Sequence, residues 1–220
     1  MNPEVKKPGW PFYLSWIVLS TFAILLAFGG TFVVLAFAVN WIGDWIIIDG
    51  EQRITEDYLF SYVFPILIWL FTSGLQYAQL RRYLSKMGWW ILATGAGWLI
   101  AVPTVIYFDR VFLENFDLIL TFRNVDLKWG IYLSGIGVLI GLFQWLVLRR
   151  CLPHAAWWFF ASALGWGLID PIVGLPFSGA FDILAIGLFP ALTTAVCFWF
   201  LFRQQLNESQ QPIEGIKAEI

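Results

Sequence analysis

The stretch 76–98, QYAQLRRYLSKMGWWILATGAGW, returns at 144–166 as QWLVLRRCLPHAAWWFFASALGW, in register at an offset of 68 and without a gap. Ten of the 23 positions are identical, among them Gln76/Gln144, Arg81/Arg149, Arg82/Arg150, Trp89/Trp157, Trp90/Trp158, Gly97/Gly165 and Trp98/Trp166, and Pro103/Pro171 extends the match. Three paired tryptophans and two paired arginines keep their register across a polar break, so chance is a poor explanation. Each copy has an apolar end, a short basic turn and a second apolar start, the pattern of a helical hairpin.

Working outward, each hairpin continues into runs of apolar residues long enough to cross a hydrocarbon layer, which takes about 20 residues per helix. Six such runs are expected, at about 12–39, 58–80, 89–108, 129–148, 156–175 and 183–202. Of the 220 residues, 60% are apolar and 13% charged, too little polar surface to clothe a water-soluble globule. The expected fold is therefore an all-α integral membrane protein, one bundle of about six transmembrane helices over 1–203 that contains two parallel hairpin repeats, followed by a polar tail over 204–220. Both copies place the arginine pair on the same side, so the repeats are parallel and related by an axis along the membrane normal. The first run, after Lys6 and Lys7, ends in Ala36-Phe37-Ala38 and superficially resembles a signal peptide. Its apolar part is too long for one, and an uncleaved first helix is expected.

Lys and Arg set the expected orientation. With both termini in the cytoplasm, the inner segments carry nine (Lys6, Lys7, Arg81, Arg82, Lys86, Arg149, Arg150, Arg203, Lys217) and the outer loops four (Arg53, Arg110, Arg123, Lys128). Trp10, Trp41, Trp45, Trp89, Trp90, Trp129, Trp157 and Trp158 fall near expected helix ends, where indoles act as depth anchors. An interfacial helix is expected in the outer loop 109–128, where Phe and Leu alternate with charges.

The tandem pattern Q-x3-L-R-R…W-W…G-W resembles repeats in a loosely defined set of uncharacterised multi-pass membrane proteins of cyanobacterial type. The resemblance covers the two hairpins, about a fifth of the chain. It implies a bacterial membrane, the inner or the thylakoid membrane, and brings no activity with it.

Several classes of function lose support from the residues themselves. Thirteen dispersed Lys and Arg at a net charge of −2 assemble no face for nucleic acid. One histidine, His154, and two cysteines, Cys151 and Cys197, leave neither a haem ligand pair nor a metal cage, so no metal and no cofactor is expected. Ionisable residues at bilayer depth are the usual mark of a membrane enzyme, and none stands out, so no catalytic residue is assigned and no enzyme is expected. Asp170, ahead of Pro171, and Asp182 are the best candidates for an outer carboxylate pair; the plainer alternative makes Asp182 the N-cap of the last helix and Asp170 an interfacial residue.

The expected role is that of a non-catalytic accessory, assembly or lipid-interacting unit. Its partners would be the lipid bilayer, anionic lipids at Arg81, Arg82, Arg149 and Arg150, and a membrane-protein partner or a second copy of itself. The alternative is a carrier or channel component for a small, weakly charged solute, with a polar pathway between the hairpins lined by Gln76, Gln144, Thr94 and Ser162. The same residues serve equally as interhelical hydrogen-bonding contacts.

Overall fold

In the computed structural model, residues 8–108, 121–122, 125–169 and 179–210 are described. They form α1 (Trp10–Ile42), β1 (Trp45–Ile48), β2 (Glu51–Ile54), α2 (Thr55–Leu80), α3 (Trp90–Phe108), β3 (Thr121–Phe122), β4 (Val125–Asp126), α4 (Leu127–Leu148), α5 (Trp157–Gly167) and α6 (Gly179–Gln210). Backbone N–H and C=O groups find no water in hydrocarbon, so a chain this apolar satisfies them within helices. Five of the helices, all but α5, are long and apolar enough to span a membrane, and the protein is an all-α integral membrane protein. α5 is described over 11 residues, and the rest of its expected span to 175 lies almost wholly outside the described residues.

Each helix packs against its neighbours in sequence, and α1 closes against α6, so the six form a ring. The first and last helices, expected merely to flank two hairpins, are thus themselves a packed pair. α4 and α5 approach especially closely at Gly137 and Gly141: a Cβ on Gly137 would stand 2.5 Å from the Ser162 carbonyl oxygen, and one on Gly141 2.8 Å from Phe159 Cα. Gly97 and Gly165 are likewise shut against backbone, the first 2.8 Å from Ile140 Cα and the second 2.7 Å from Pro190 Cα. Small residues that let backbones meet are the main packing device where lipid tails are as apolar as the helices.

The two basic turns are built alike. Arg81 and Arg149 N–H bond to Tyr77 and Trp145 carbonyls, and Leu84 and Leu152 N–H to those of Leu80 and Leu148. Each turn passes through one left-handed residue at the same repeat position, Lys86 (φ 63°) and His154 (φ 52°). The Cys151 thiol donates to the Ser85 carbonyl at 3.0 Å and ties the turns together.

Four details differ from expectation. β1 and β2 make an antiparallel hairpin closed by Asp49 (φ 52°) and Gly50 (φ 79°), the positive-φ pair that a two-residue primed turn requires. α6 starts at Gly179, so Asp182 sits inside its first turn and is not its N-cap, and it runs on to Gln210, so the beginning of the polar tail is helical. Of the expected interfacial helix, 109–120 lie outside the described residues, while Thr121–Phe122 and Val125–Asp126 pair as a short β-hairpin. Trp90 and Trp158 are no depth anchors: they are 0% and 1% exposed, whereas Trp89 and Trp157 are 60% and 56% exposed. Neighbours on a helix point about 100° apart, so within each Trp-Trp pair one ring faces lipid and the other the core.

Candidate functional site

At the centre of the ring lies a cavity of about 50 Å³ to which every helix contributes. The first hairpin supplies Thr72, Gln76, Thr94 and Trp98, and the second Ile140, Gln144, Trp158, Ser162 and Trp166. α1 adds Ser20 and Ile24, and α6 adds Pro190 and Thr194. All four residues expected to line a polar pathway, Gln76, Gln144, Thr94 and Ser162, therefore meet in one place. Among the described residues the wall holds hydroxyls, amides and indoles but no ionisable side chain.

Gln144 is 5% exposed and its hydrogen bonds link three helices. Its Nε2 donates to Thr94 Oγ1 at 3.1 Å, and its Oε1 accepts from Trp158 Nε1 at 2.9 Å. Gln76, its counterpart, donates from Nε2 to Ser20 Oγ at 3.3 Å. Gln76 Oε1 and Trp90 Nε1, the counterparts of the atoms bonded in the second hairpin, are both buried and meet no partner among the described residues. Trp16 on α1 donates to Thr194 Oγ1 at 3.0 Å.

An apolar cluster flanks the cavity on each side. Toward the basic turns, Phe12, Trp16, Leu80, Trp90, Leu148, Trp158 and Phe198 form one core cluster. Within it Trp158 stands edge-on to both Trp16 and Trp90, with ring centroids 6.0 and 5.9 Å apart. Toward the opposite end, Ile24, Ala27, Ile68, Trp98, Ala101 and Ile140 form a second cluster. Trp98 and Trp166, equivalent residues of the two repeats, meet edge to face at 5.4 Å.

Ser20 and Trp16 stand outside the repeat, yet a signal for them exists. Trp16, Ser20, Ala23 and Ile24 on α1 share the spacing of Trp90, Thr94, Gly97 and Trp98 and of Trp158, Ser162, Gly165 and Trp166. On α6, Arg203 lies over the Trp199 ring at 5.3 Å, as Arg149 lies over Trp145 at 5.1 Å and Arg81 over Tyr77 at 5.8 Å. α6 and α1 thus act as a third hairpin whose two halves sit at opposite ends of the chain, with Phe198 where the others carry glutamine.

Arg81, Arg82, Arg149 and Arg150 are exposed at the turns, away from the cavity. Asp170 lies outside the described residues, and the pairing with Asp182 with it. Among the described residues no group of His, Cys, Asp and Glu is arranged to hold a metal. Beside the cavity, an open apolar groove of about 600 Å³ runs between α5 and α6, walled by Trp157, Phe160, Leu164, Leu192, Val196 and Trp199.

Burial pushes the Cys151 thiol above its ordinary range, with Lys86 and Arg150 pulling it partly back. Only the thiolate attacks a maleimide. Cys151 should therefore label more slowly in the folded protein than in the denatured chain at neutral pH, and the difference should shrink as pH rises through the raised pKa. With Cys197 replaced by Ala, rate measurements against pH check this, and equal rates in both states at neutral pH contradict it.

Fold and site together define a polytopic helical membrane protein with an uncharged polar centre. No family model, curated protein or solved structure matches the chain.

Proposed function

We propose that the protein is a non-catalytic membrane component, an accessory, assembly or lipid-interacting unit of a bacterial inner or thylakoid membrane, with both termini in the cytoplasm. The observation that carries this reading is the ring: apolar clusters flank both sides of a small cavity whose described lining residues include no ionisable group. Proton transfer at pH 7 has no obvious donor or base there. The outer surface supplies what a lipid-facing unit needs. Exposed guanidiniums at Arg81, Arg82, Arg149 and Arg150 adjoin exposed indoles at Trp89 and Trp157, a set suited to anionic headgroups, and the groove between α5 and α6 suits acyl chains.

Native mass spectrometry of the protein released from phosphatidylglycerol-containing nanodiscs tests the lipid role. Wild type should retain anionic lipid, and the variant with all four arginines changed to Gln should lose most of it; equal retention would sink the assignment. A membrane-impermeant maleimide offered to right-side-out and inverted vesicles should reach Cys151 only in the inverted ones, and the opposite result would reverse the orientation.

One observation favours the carrier or channel alternative, the convergence of Gln76, Thr94, Gln144 and Ser162 on a single cavity. If a neutral solute crosses here, Gln76→Leu together with Gln144→Leu should abolish its flux in proteoliposomes. Unchanged flux with intact folding would remove that alternative.

A further inference from the structure

The two repeats solve the same hydrogen-bonding problem differently. In the second, the Trp158 indole N–H and the Gln144 carbonyl satisfy one another at 2.9 Å. In the first, Trp90 Nε1 and Gln76 Oε1 hold the equivalent positions, are buried atoms too, and meet no partner among the described residues. A buried donor and a buried acceptor without partners are costly in an apolar medium and call for a molecule that completes both. Gln76 lines the central cavity; Trp90, 0% exposed, stands behind that lining, edge-on to Trp158, which belongs to it. Ser20, Thr72 and Thr94 line the same space.

From this asymmetry we infer that the cavity is a binding site for one small uncharged molecule carrying both a hydrogen-bond donor and an acceptor, an amide or urea of about four non-hydrogen atoms. Three features set that class. The described residues of the wall offer no counter-charge, which argues against ions. Gln76 Oε1 requires a donor and Trp90 Nε1–H an acceptor, which a primary amide supplies within a single group. A volume of 50 Å³, at roughly 10–15 Å³ per water-sized position, holds about four atoms of that size. Gln144 and Trp158, already satisfied by each other, form the fixed side of the site, and Gln76, with Trp90 behind the lining, the receptive side. Binding needs no passage across the membrane, so the inference stands apart from the carrier alternative and survives an absence of flux.

The test uses the full chain in lipid nanodiscs and equilibrium binding of radiolabelled acetamide and urea. Both should bind saturably. Gln76→Leu should weaken binding at least tenfold and Trp90→Phe, which keeps the ring and removes the donor, several-fold, while Leu99→Ala, on an exposed face of α3, should change nothing. Competition on the wild-type protein decides the matter even if those variants fold poorly. Unlabelled acetamide should displace the label, whereas N,N-dimethylacetamide, larger and without an N–H, should not. Absence of saturable binding of either probe, which would mean that water alone completes the two groups, overturns the proposal. So does undiminished binding by a folded Gln76→Leu protein, or displacement by dimethylacetamide as effective as that by acetamide.

Discussion

Gly137→Ala and Gly141→Ala should each lower the stability of the ring by about 1–3 kcal/mol or more, the range for overpacking a well-filled interior. The added methyl group would lie 2.5 Å from the Ser162 carbonyl oxygen in the first case and 2.8 Å from Phe159 Cα in the second. Both obstructing atoms are backbone, so no side chain can swing aside, and α4 and α5 must move apart along their contact. That movement would also pull Ser162 from the cavity. Gly74 on α2 and Gly135 on α4 serve as controls: nothing lies within 4 Å of a Cβ on Gly74, and only Val105 Cγ2, at 3.9 Å, approaches one on Gly135. Alanine there should be neutral or stabilising by up to about 1 kcal/mol, from helix propensity alone. Unfolding by dodecyl sulfate titration in mixed micelles measures all four. Comparable losses for Gly74→Ala and Gly137→Ala would mean that close approach of α4 and α5 is not what the glycines serve.

The sequence makes the hairpins legible and hides the ring. Gln76–Trp98 and its copy announce two helix-turn-helix units because arginines must leave the hydrocarbon and tryptophans favour its edge. Which face of a helix turns inward is far harder to read, since a membrane protein has apolar residues on both sides and loses the contrast that marks a soluble helix. The adjacent pairs Trp89-Trp90 and Trp157-Trp158 show the consequence: proximity to a helix end suggests an anchor for all four, yet only the first of each pair is exposed. Polar residues carry the missing information. Gln76, Gln144, Thr94 and Ser162 point to the centre because an unpaired amide or hydroxyl facing lipid is costly, and they were legible for that reason. Ser20 obeys the same rule but was hidden, because its helix belongs to a hairpin divided between the two ends of the chain. The hairpin of β1 and β2 had its own signal in Ile48-Asp49-Gly50-Glu51, overshadowed by the acidic character of that loop.

The two glutamines, identical in the repeat, should respond unequally to the same substitution. Gln144→Leu removes the acceptor of Trp158 Nε1 and the donor to Thr94 Oγ1, so a fully buried indole N–H is left without a partner. The expected cost is about 1–3 kcal/mol, the penalty for orphaning a buried polar group. Gln76→Leu removes one longer bond, to Ser20 at 3.3 Å, and with it an acceptor that already lacks a partner. Burial of leucine then offsets much of the loss, and the cost should stay below about 1 kcal/mol, close to the average for interhelical hydrogen bonds in a bilayer. Adding Trp158→Phe to Gln144→Leu should recover part of its loss, because the orphaned donor goes while the ring contacts with Trp16, Trp90 and Phe198 can persist. Adding Trp90→Phe to Gln76→Leu should not. Equal costs for the two glutamines, or no recovery in the first double variant, would show that the repeats are energetically alike and that the difference in their hydrogen bonding carries no weight. Unequal costs would place rigidity in the second hairpin and leave the first free to exchange its partner, as a site that takes up and releases a small molecule requires.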